Sequence, residues 1–146
     1  MQIWVDADAC PNTIKEIIFR AAERTKILTT FVSNQFIRTP HSLYIKTKRV
    51  ASGFDVADNE IIQSLAPTDL VITADIPLAN AVVEKGGVAL NPRGEIYTKN
   101  NIRQCVSLRD FSAGLRDSGV SVGGPPKLNK KDLHAFAKSL DKLLKL

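Results

Sequence analysis

The segment DLVITAD, residues 69–75, constrains the fold more than any other part of this chain. Its central residues, Leu70, Val71 and Ile72, are continuous and apolar, which is typical of a short strand covered on both faces in a parallel sheet. The apolar run in residues 2–5 has the same character, and aspartates follow both runs. Because parallel strands need long crossover connections, we expect helices between the strands.

The segments between the apolar runs carry helical periodicity. Pro11 suits the first position of a helix, where its missing N–H costs nothing, and apolar residues recur at helical spacing after it. The same periodicity predicts three more helices, over residues 56–65, 76–85 and 133–144. Further strands are expected over residues 27–32, 43–50 and 88–92, with a short segment around Ile96 and Tyr97. This alternation predicts an α/β fold, a three-layer α/β/α sandwich with a mostly parallel central sheet.

The length of the chain favours a single domain over residues 1–146, in which the GGPPK turn, residues 123–127, precedes the last helix. No apolar stretch approaches the roughly 18 residues that a membrane-spanning helix needs, so no membrane role is expected. Cys10 and Cys105 lack the spacing of metal ligands and indicate a reducing, cytoplasmic location. We expect Cys10 to be a buried packing residue rather than a nucleophile, because no histidine lies near it in the sequence.

The charge of the chain is +5 and is unevenly distributed, because residues 1–50 and 101–146 are basic while residues 51–100 are acidic. This asymmetry suits a polyanion such as RNA or another nucleic acid, held near a carboxylate site. Simple solubility explains the charge equally well, so charge alone does not decide between these interpretations.

Four aspartates stand where the predicted strands end or the predicted helices begin. Asp6 and Asp8 follow the first strand, Asp75 follows DLVIT, and Asp58 lies in the first turn of the intervening helix. If the two strands are neighbours, Asp6 and Asp75 meet at the carboxyl edge of the sheet, where ligands of such sheets bind.

These four aspartates are the predicted catalytic residues, and a divalent cation would remove the repulsion between them. Carboxylate oxygens favour Mg²⁺ or Mn²⁺ over zinc, and Asp6, Asp58 and Asp75 are the expected ligands. Asp8 and Asp58 could instead orient a water molecule, or simply cap helices.

Polar residues near the same edge are candidate substrate contacts. Arg49 ends a basic run, Arg93 lies in the NPRG turn, and Lys127 follows the Gly/Pro turn, so each could hold a phosphate. The run at Arg49 could equally be a solvated face. Asn34, at the end of the second strand, either contacts the site or closes a turn.

Several motifs in order, namely DADACP, GFDVADNEI, DLVITADIPLA, NPRG and GGPPK, closely resemble the YaiI/YqxD family of uncharacterised bacterial proteins. The fold that this resemblance implies is similar to the PIN-domain nucleases, which place acidic residues after the first strand, on a middle helix and at a T-x-D strand end. Asp6, Asp58 and Asp75 match these three places, whereas Asn91 stands where a later acidic residue would be expected. The resemblance implies a nuclease that uses Mg²⁺ or Mn²⁺, with RNA as the expected substrate.

Two alternatives remain. The D-x-D pattern also resembles the haloacid-dehalogenase phosphatases, in which Asp6 would be the nucleophile, Asp8 the acid/base and Ser33 a phosphate ligand. Those enzymes insert a helical turn and a hairpin after the first strand, whereas Pro11 predicts an immediate helix. The other alternative is a binding module for RNA or a protein partner without catalytic activity.

Overall fold

The computed structural model describes residues 1–53, 56–102 and 128–144. The six strands within these ranges are β1 (Ile3–Asp6), β2 (Thr29–Ser33), β3 (Ile45–Arg49), β4 (Leu70–Ile72), β5 (Val88–Leu90) and β6 (Ile96–Tyr97). The four α-helices are α1 (Asn12–Thr25), α2 (Val56–Ser64), α3 (Ile76–Glu84) and α4 (Lys130–Leu144). The predicted turn over residues 123–127 lies outside the described residues.

The six strands form one sheet in the order β3-β2-β1-β4-β5-β6, parallel except for the antiparallel pair β5–β6. From β1 the chain moves outward to β2 and β3, then crosses back to β4 on the other side of β1. In the register, Ile3 pairs with Thr29 of β2 and with Leu70 of β4. The order therefore reverses between β1 and β4, which opens a crevice at their carboxyl ends.

Helices cover both faces of the sheet. On one face Ile3, Val5 and Phe31 pack in a core that includes Ile14 of α1 and Phe136 of α4. The opposite core contains Trp4 and Val71 together with buried residues of α2 and α3, among them Ile61, Leu78 and Val82. Successive residues of β1 thus point to opposite layers. The predicted three-layer α/β/α sandwich is confirmed. None of the described helices is long and apolar enough to cross a membrane.

The link between β1 and α1 differs from the prediction. A single 3₁₀ turn, Ala7–Ala9, follows β1, and Pro11 has extended backbone angles (φ −62°, ψ 150°). The first helical residue is therefore Asn12, and the prediction that Pro11 occupies the first helical position is wrong by one residue. Proline's fixed φ also suits this preceding position, where the chain is still extended. Because a helical turn does follow Asp6, Pro11 alone does not exclude the phosphatase alternative.

A buried carboxylate joins β1 to β4 at the amino edge of the sheet, opposite the crevice. Asp69 accepts hydrogen bonds from the indole Nε1 of Trp4 at 3.1 Å, the backbone N–H of Gln2 at 3.0 Å and that of Ala66 at 3.0 Å. Its side chain is 5% exposed, and bonds to three donors offset the cost of burying the charge. Asp69 was not singled out in the sequence, because its partners are defined only by the strand register.

The C-terminal helix α4 is fixed to the turn between β5 and β6. Gly94 in that turn has φ +91°, and its carbonyl oxygen accepts a 2.6 Å hydrogen bond from the Ser139 hydroxyl of α4. A Cβ atom on Gly94 would lie 2.5 Å from the carbonyl carbon of Ala135. Only glycine allows the turn and the helix to approach so closely.

Candidate active site

A pocket of about 280 Å³ lies at the carboxyl edge of the sheet, where β1 and β4 diverge. The lining residues that carry polar side chains are Asp6, Asp8, Asn34, Asp58 and Asp75. None of the described residues that line this acidic pocket is basic. The structure therefore brings the four predicted catalytic aspartates together around one space, with Asn34 beside them.

Asp6 is the most buried of the four carboxylates. It is the last residue of β1, and its side chain is 7% exposed. Burial raises the pKa of Asp6 above its ordinary value; the hydrogen bond from Thr73 lowers that pKa, and the negative charges of Asp75 and Asp8 raise it further. The Asp6 carboxylate is therefore held in an environment that disfavours its charge.

Thr73 connects Asp6 to the end of β4. Its hydroxyl donates to Asp6 Oδ2 at 3.0 Å and accepts from the backbone N–H of Asp75 at 2.9 Å. Thr73 is 2% exposed, and its bond to Asp6 is shielded from water. This role was not predicted, although a hydroxyl residue two positions before Asp75 is a sequence signal for such a turn.

Asp75 caps helix α3. Its Oδ1 accepts a 3.1 Å hydrogen bond from the backbone N–H of Leu78, and its backbone is extended as expected of an N-cap residue. Helix capping was considered for Asp8 and Asp58 in the sequence, and the structure shows it at Asp75, which also takes its predicted place at the pocket. The positive end of the α3 dipole therefore lies beside the acidic pocket and favours negative charge there.

Asp8 holds the end of β2 rather than a helix start. Its carboxylate accepts a short hydrogen bond from the Ser33 hydroxyl and a 2.9 Å bond from the backbone N–H of Asn34. No side-chain cap is formed at the 3₁₀ turn that contains Asp8. Ser33 is 2% exposed, so Asp8 provides the acceptor that a buried hydroxyl needs. Asn34 is thereby fixed at the edge of the acidic pocket.

Asp58 lies in the first turn of α2 and is half-buried against the acidic pocket. The neighbouring Glu60 is not among the described lining residues and pairs instead with Lys48 of β3. The hydrogen bond from Lys48 lowers the pKa of Glu60 below its ordinary value. Of the two acidic residues at the start of α2, Asp58 is therefore the one that lines the pocket.

The metal site predicted for this edge stays a prediction. Within residues 1–53, 56–102 and 128–144, no three side chains of His, Cys, Asp or Glu form a group that could hold a metal ion. The expected ligands Asp6, Asp58 and Asp75 line one pocket without forming such a group. The donor set still fits Mg²⁺ or Mn²⁺, because Mg²⁺ commonly uses one or two carboxylates together with substrate phosphates and water.

Two of the three predicted basic contacts, Arg49 and Arg93, do not line the acidic pocket. Arg49 is exposed at the end of β3, and Arg93 pairs with Asp132 of α4 at 2.8 Å; neither is among the described residues that line the acidic pocket. Arg93 therefore helps to hold α4 against the β5–β6 turn. Lys127 lies outside the described residues. Cys10 is buried, as expected, and burial raises the pKa of its thiol to about 12, which does not favour a nucleophile.

Comparison with known proteins gives a similarity over nearly the whole chain. A model of the uncharacterised YaiI/YqxD family matches residues 4–146. UPF0178 proteins of Pectobacterium atrosepticum, Yersinia enterocolitica and Yersinia pestis are each 61% identical over 144 residues, which is 99% of this chain and 95–96% of theirs. No solved structure gave a significant match. The names of these relatives state no activity.

Proposed function

This chain belongs to the YaiI/YqxD family of uncharacterised proteins, and we propose that it is a Mg²⁺- or Mn²⁺-dependent hydrolase that cleaves phosphodiester bonds in nucleic acid, with RNA the expected substrate. Family membership supplies no chemistry, so the proposal rests on the acidic pocket. The PIN-like character of the fold is part of the same proposal, because Asp6, Asp58 and Asp75 all line that pocket.

The observation that carries the proposal is the concentration of carboxylates at the switch point of the sheet. Asp6, Asp8, Asp58 and Asp75 surround about 280 Å³, and no described lining residue is basic. The negative charges of Asp75 and Asp8 raise the pKa of the buried Asp6. Repulsion between these carboxylates destabilises the folded state, and a bound positive ion would relieve it. A divalent cation is the simplest such ligand.

Asp6 and Asp75 would hold the cation, because they end neighbouring segments that Thr73 joins by hydrogen bonds. A bound Mg²⁺ or Mn²⁺ supplies Lewis-acid polarisation of a phosphate group. Thr73 keeps the Asp6 carboxylate in one orientation, and Asp8 fixes Asn34 at the pocket edge. Asp58 lines the same pocket from the first turn of α2 and would accept a proton from an attacking water.

Cleavage assays with purified protein test this function. Labelled single-stranded and structured RNA and DNA are incubated with Mg²⁺, Mn²⁺ or EDTA. We expect metal-dependent cleavage that falls about 100-fold or more in Asp6→Asn and Asp75→Asn. Both variants should fold, because asparagine keeps an acceptor for Thr73 and is an equally good N-cap. Asp141→Asn, on α4, is the matched control. A pure protein that cuts none of these substrates with either metal overturns the proposal.

Thermal unfolding measures cation binding without activity. Mn²⁺ at about 100 times its Kd is expected to raise the free energy of unfolding of the wild type by about 2.7 kcal/mol. Asp6→Asn should lose most of this increase, whereas Asp141→Asn should keep it. An equal increase in all three proteins would place the cation outside the acidic pocket.

Hydrolysis of phosphomonoesters through an aspartyl-phosphate on Asp6 is the second candidate, and the 3₁₀ turn directly after Asp6 favours it. Against it, the Ser33 hydroxyl that would hold the phosphate is already bonded to Asp8, the residue required as acid/base. Turnover of small phosphomonoesters with trapping of a covalent phosphate on Asp6 would support this candidate. Metal-dependent phosphodiester cleavage without such trapping would exclude it.

A further inference from the structure

A second cavity, of about 410 Å³, shares Asp8 with the acidic pocket. It lies between the start of α1 and residues 34–44, the connection between β2 and β3. Lys15 of α1 and Arg38 of the connection line this cavity together with the acidic Glu16. Basic groups, which the acidic pocket lacks, therefore occur directly beside that pocket. Neither of these two side chains forms an ion pair with a described residue.

Phe36 lines this second cavity, which we call the Phe36 groove, and 84% of its surface is exposed. Only Met1 and Leu43 share its status as large exposed hydrophobic residues within the described chain, and neither is aromatic. Phe36 also lines a small cavity with Arg49, at the end of β3, and with Lys48, which pairs with Glu60. An exposed ring is thus flanked by cations from three different elements.

We propose that the Phe36 groove binds an unpaired stretch of a nucleic acid chain, with a base stacked on Phe36 and backbone phosphates held by Lys15, Arg38 and Arg49. This inference rests on the proposed function, because the shared Asp8 makes the groove the path by which the chain reaches the acidic pocket. Exposed aromatic rings between cations are how single strands are held without base-specific contacts.

The chemistry favours a single strand over a duplex and over a protein partner. Stacking requires the face of a base, which a duplex hides between neighbouring base pairs. A protein interface would also use an exposed aromatic ring and arginines, but its centre is depleted of lysine, whereas Lys15 lines this groove together with Phe36 and Arg38. One exposed ring with cations on either side matches a base and the phosphates next to it in a nucleic acid.

Fluorescence anisotropy with labelled 12-nucleotide RNA and DNA tests the groove directly. Measurements are made in EDTA, so that binding is read without cleavage, and the same sequences are used as single strands and duplexes. Phe36→Ala should weaken single-strand binding about tenfold or more, while Phe36→Trp keeps it within about twofold. Leu43→Ala is the matched control, since Leu43 lies on the same connection with the same 84% exposure and should bind like the wild type.

Salt dependence tests the cations separately from the ring. For single strands, each lost phosphate contact should reduce the slope of log Kd against log salt concentration by about 0.7. Lys15→Gln and Arg38→Gln should each show this reduction. Lys142→Gln, exposed on α4, should leave the slope unchanged.

Three results would overturn the inference: no binding to any oligonucleotide, equal affinity of Phe36→Ala and Leu43→Ala, or duplex binding as tight as single-strand binding. Failure of the proposed function looks different. Binding that depends on Phe36, without cleavage under either metal, would establish the groove and refute the catalytic role. Cleavage that depends on Asp6, with single-strand binding unchanged in Phe36→Ala, would support the catalytic role and refute the groove.

Discussion

Thr73 donates a 3.0 Å hydrogen bond from its hydroxyl to the buried carboxylate of Asp6, 67 residues away in the sequence. The bond joins the carboxyl ends of the two central strands. It lowers the pKa of Asp6, whereas burial and the neighbouring negative charges raise that pKa. Asp6 can therefore face a pocket lined by three other aspartates in a defined orientation. The hydrogen bond from Thr73 and the repulsion from Asp75 and Asp8 act on Asp6 in opposite directions. Substitutions of Thr73 and Asp6 should therefore have measurable effects on stability.

Thr73→Val should destabilise the protein by about 1–3 kcal/mol at pH 7, because it removes the donor from a buried carboxylate at nearly constant volume. The same change should raise the pKa of Asp6 further. Urea unfolding gives the free energy, and carboxyl-carbon NMR gives the titration. Thr73→Ser, which keeps the hydroxyl, should change both quantities much less. Equal effects of valine and serine would show that packing, not the hydrogen bond, is responsible.

Asp6→Asn should stabilise the protein at neutral pH by about 0.5–2 kcal/mol, the usual range for a stabilising substitution. The pKa of Asp6 is raised above its ordinary value of 3.8, so between these two values the native state binds more protons than the unfolded state. Wild-type stability therefore falls as pH rises through this interval, whereas asparagine does not titrate.

Unfolding in urea across pH 4 to 8 checks this sign. The difference in stability between Asp6→Asn and wild type should be smallest in acid and largest above the native pKa of Asp6. Glu23→Gln, an exposed change on α1, serves as the control and should show no such trend. A variant less stable than wild type at every pH would contradict the assigned cause.

Asp8→Ala should have the opposite effect on stability and cost about 1–3 kcal/mol, because the buried Ser33 hydroxyl and the Asn34 N–H lose their acceptor. Amide hydrogen exchange at Asn34 should become faster. The double variant with Ser33→Ala should recover part of the loss, since the hydroxyl that needs an acceptor is gone. A variant as stable as the wild type would show that Asp8 has no structural role.

Gly94→Ala should be more destabilising than Gly86→Ala, although both glycines have φ above +90°. At Gly86 the added Cβ would meet only Pro67, at 3.5 Å, so backbone strain of about 1–3 kcal/mol is expected. At Gly94 it would also meet the backbone of α4 at 2.5 Å, which adds about 1–3 kcal/mol. Comparable unfolding free energies for the two variants would mean that α4 moves away without cost.

The layers of the fold could be predicted from the sequence because they depend on local patterns. The apolar runs at Ile3 and Leu70 mark central strands, and the helical stripes between them require crossovers. The same argument placed Asp6 and Asp75 at one edge, since neighbouring parallel strands share their carboxyl end. These conclusions need the type and order of elements but no knowledge of side-chain partners.

The individual roles of the aspartates could not be predicted in this way. Asp8 binds Ser33 and Asn34, which lie 25 and 26 residues away, and Arg93 binds Asp132, 39 residues away. Such pairs are decided by the strand register and by where α4 packs, neither of which leaves a periodic signal. The capping role of Asp75 was local, but a strand-end aspartate looks the same whether it binds a cation or caps the following helix.

Trp4 is the only tryptophan of the chain, and its indole N–H is bonded to Asp69 across the junction of β1 and β4. Trp4 and Asp69 are 65 residues apart in the sequence, so β1 is synthesised well before β4, the strand that becomes its second neighbour. Intrinsic fluorescence should therefore change when this pairing forms, whether on the ribosome or during refolding. Since Asp6 and Thr73 meet at the other end of the same pair of strands, that optical signal also reports when the acidic pocket assembles.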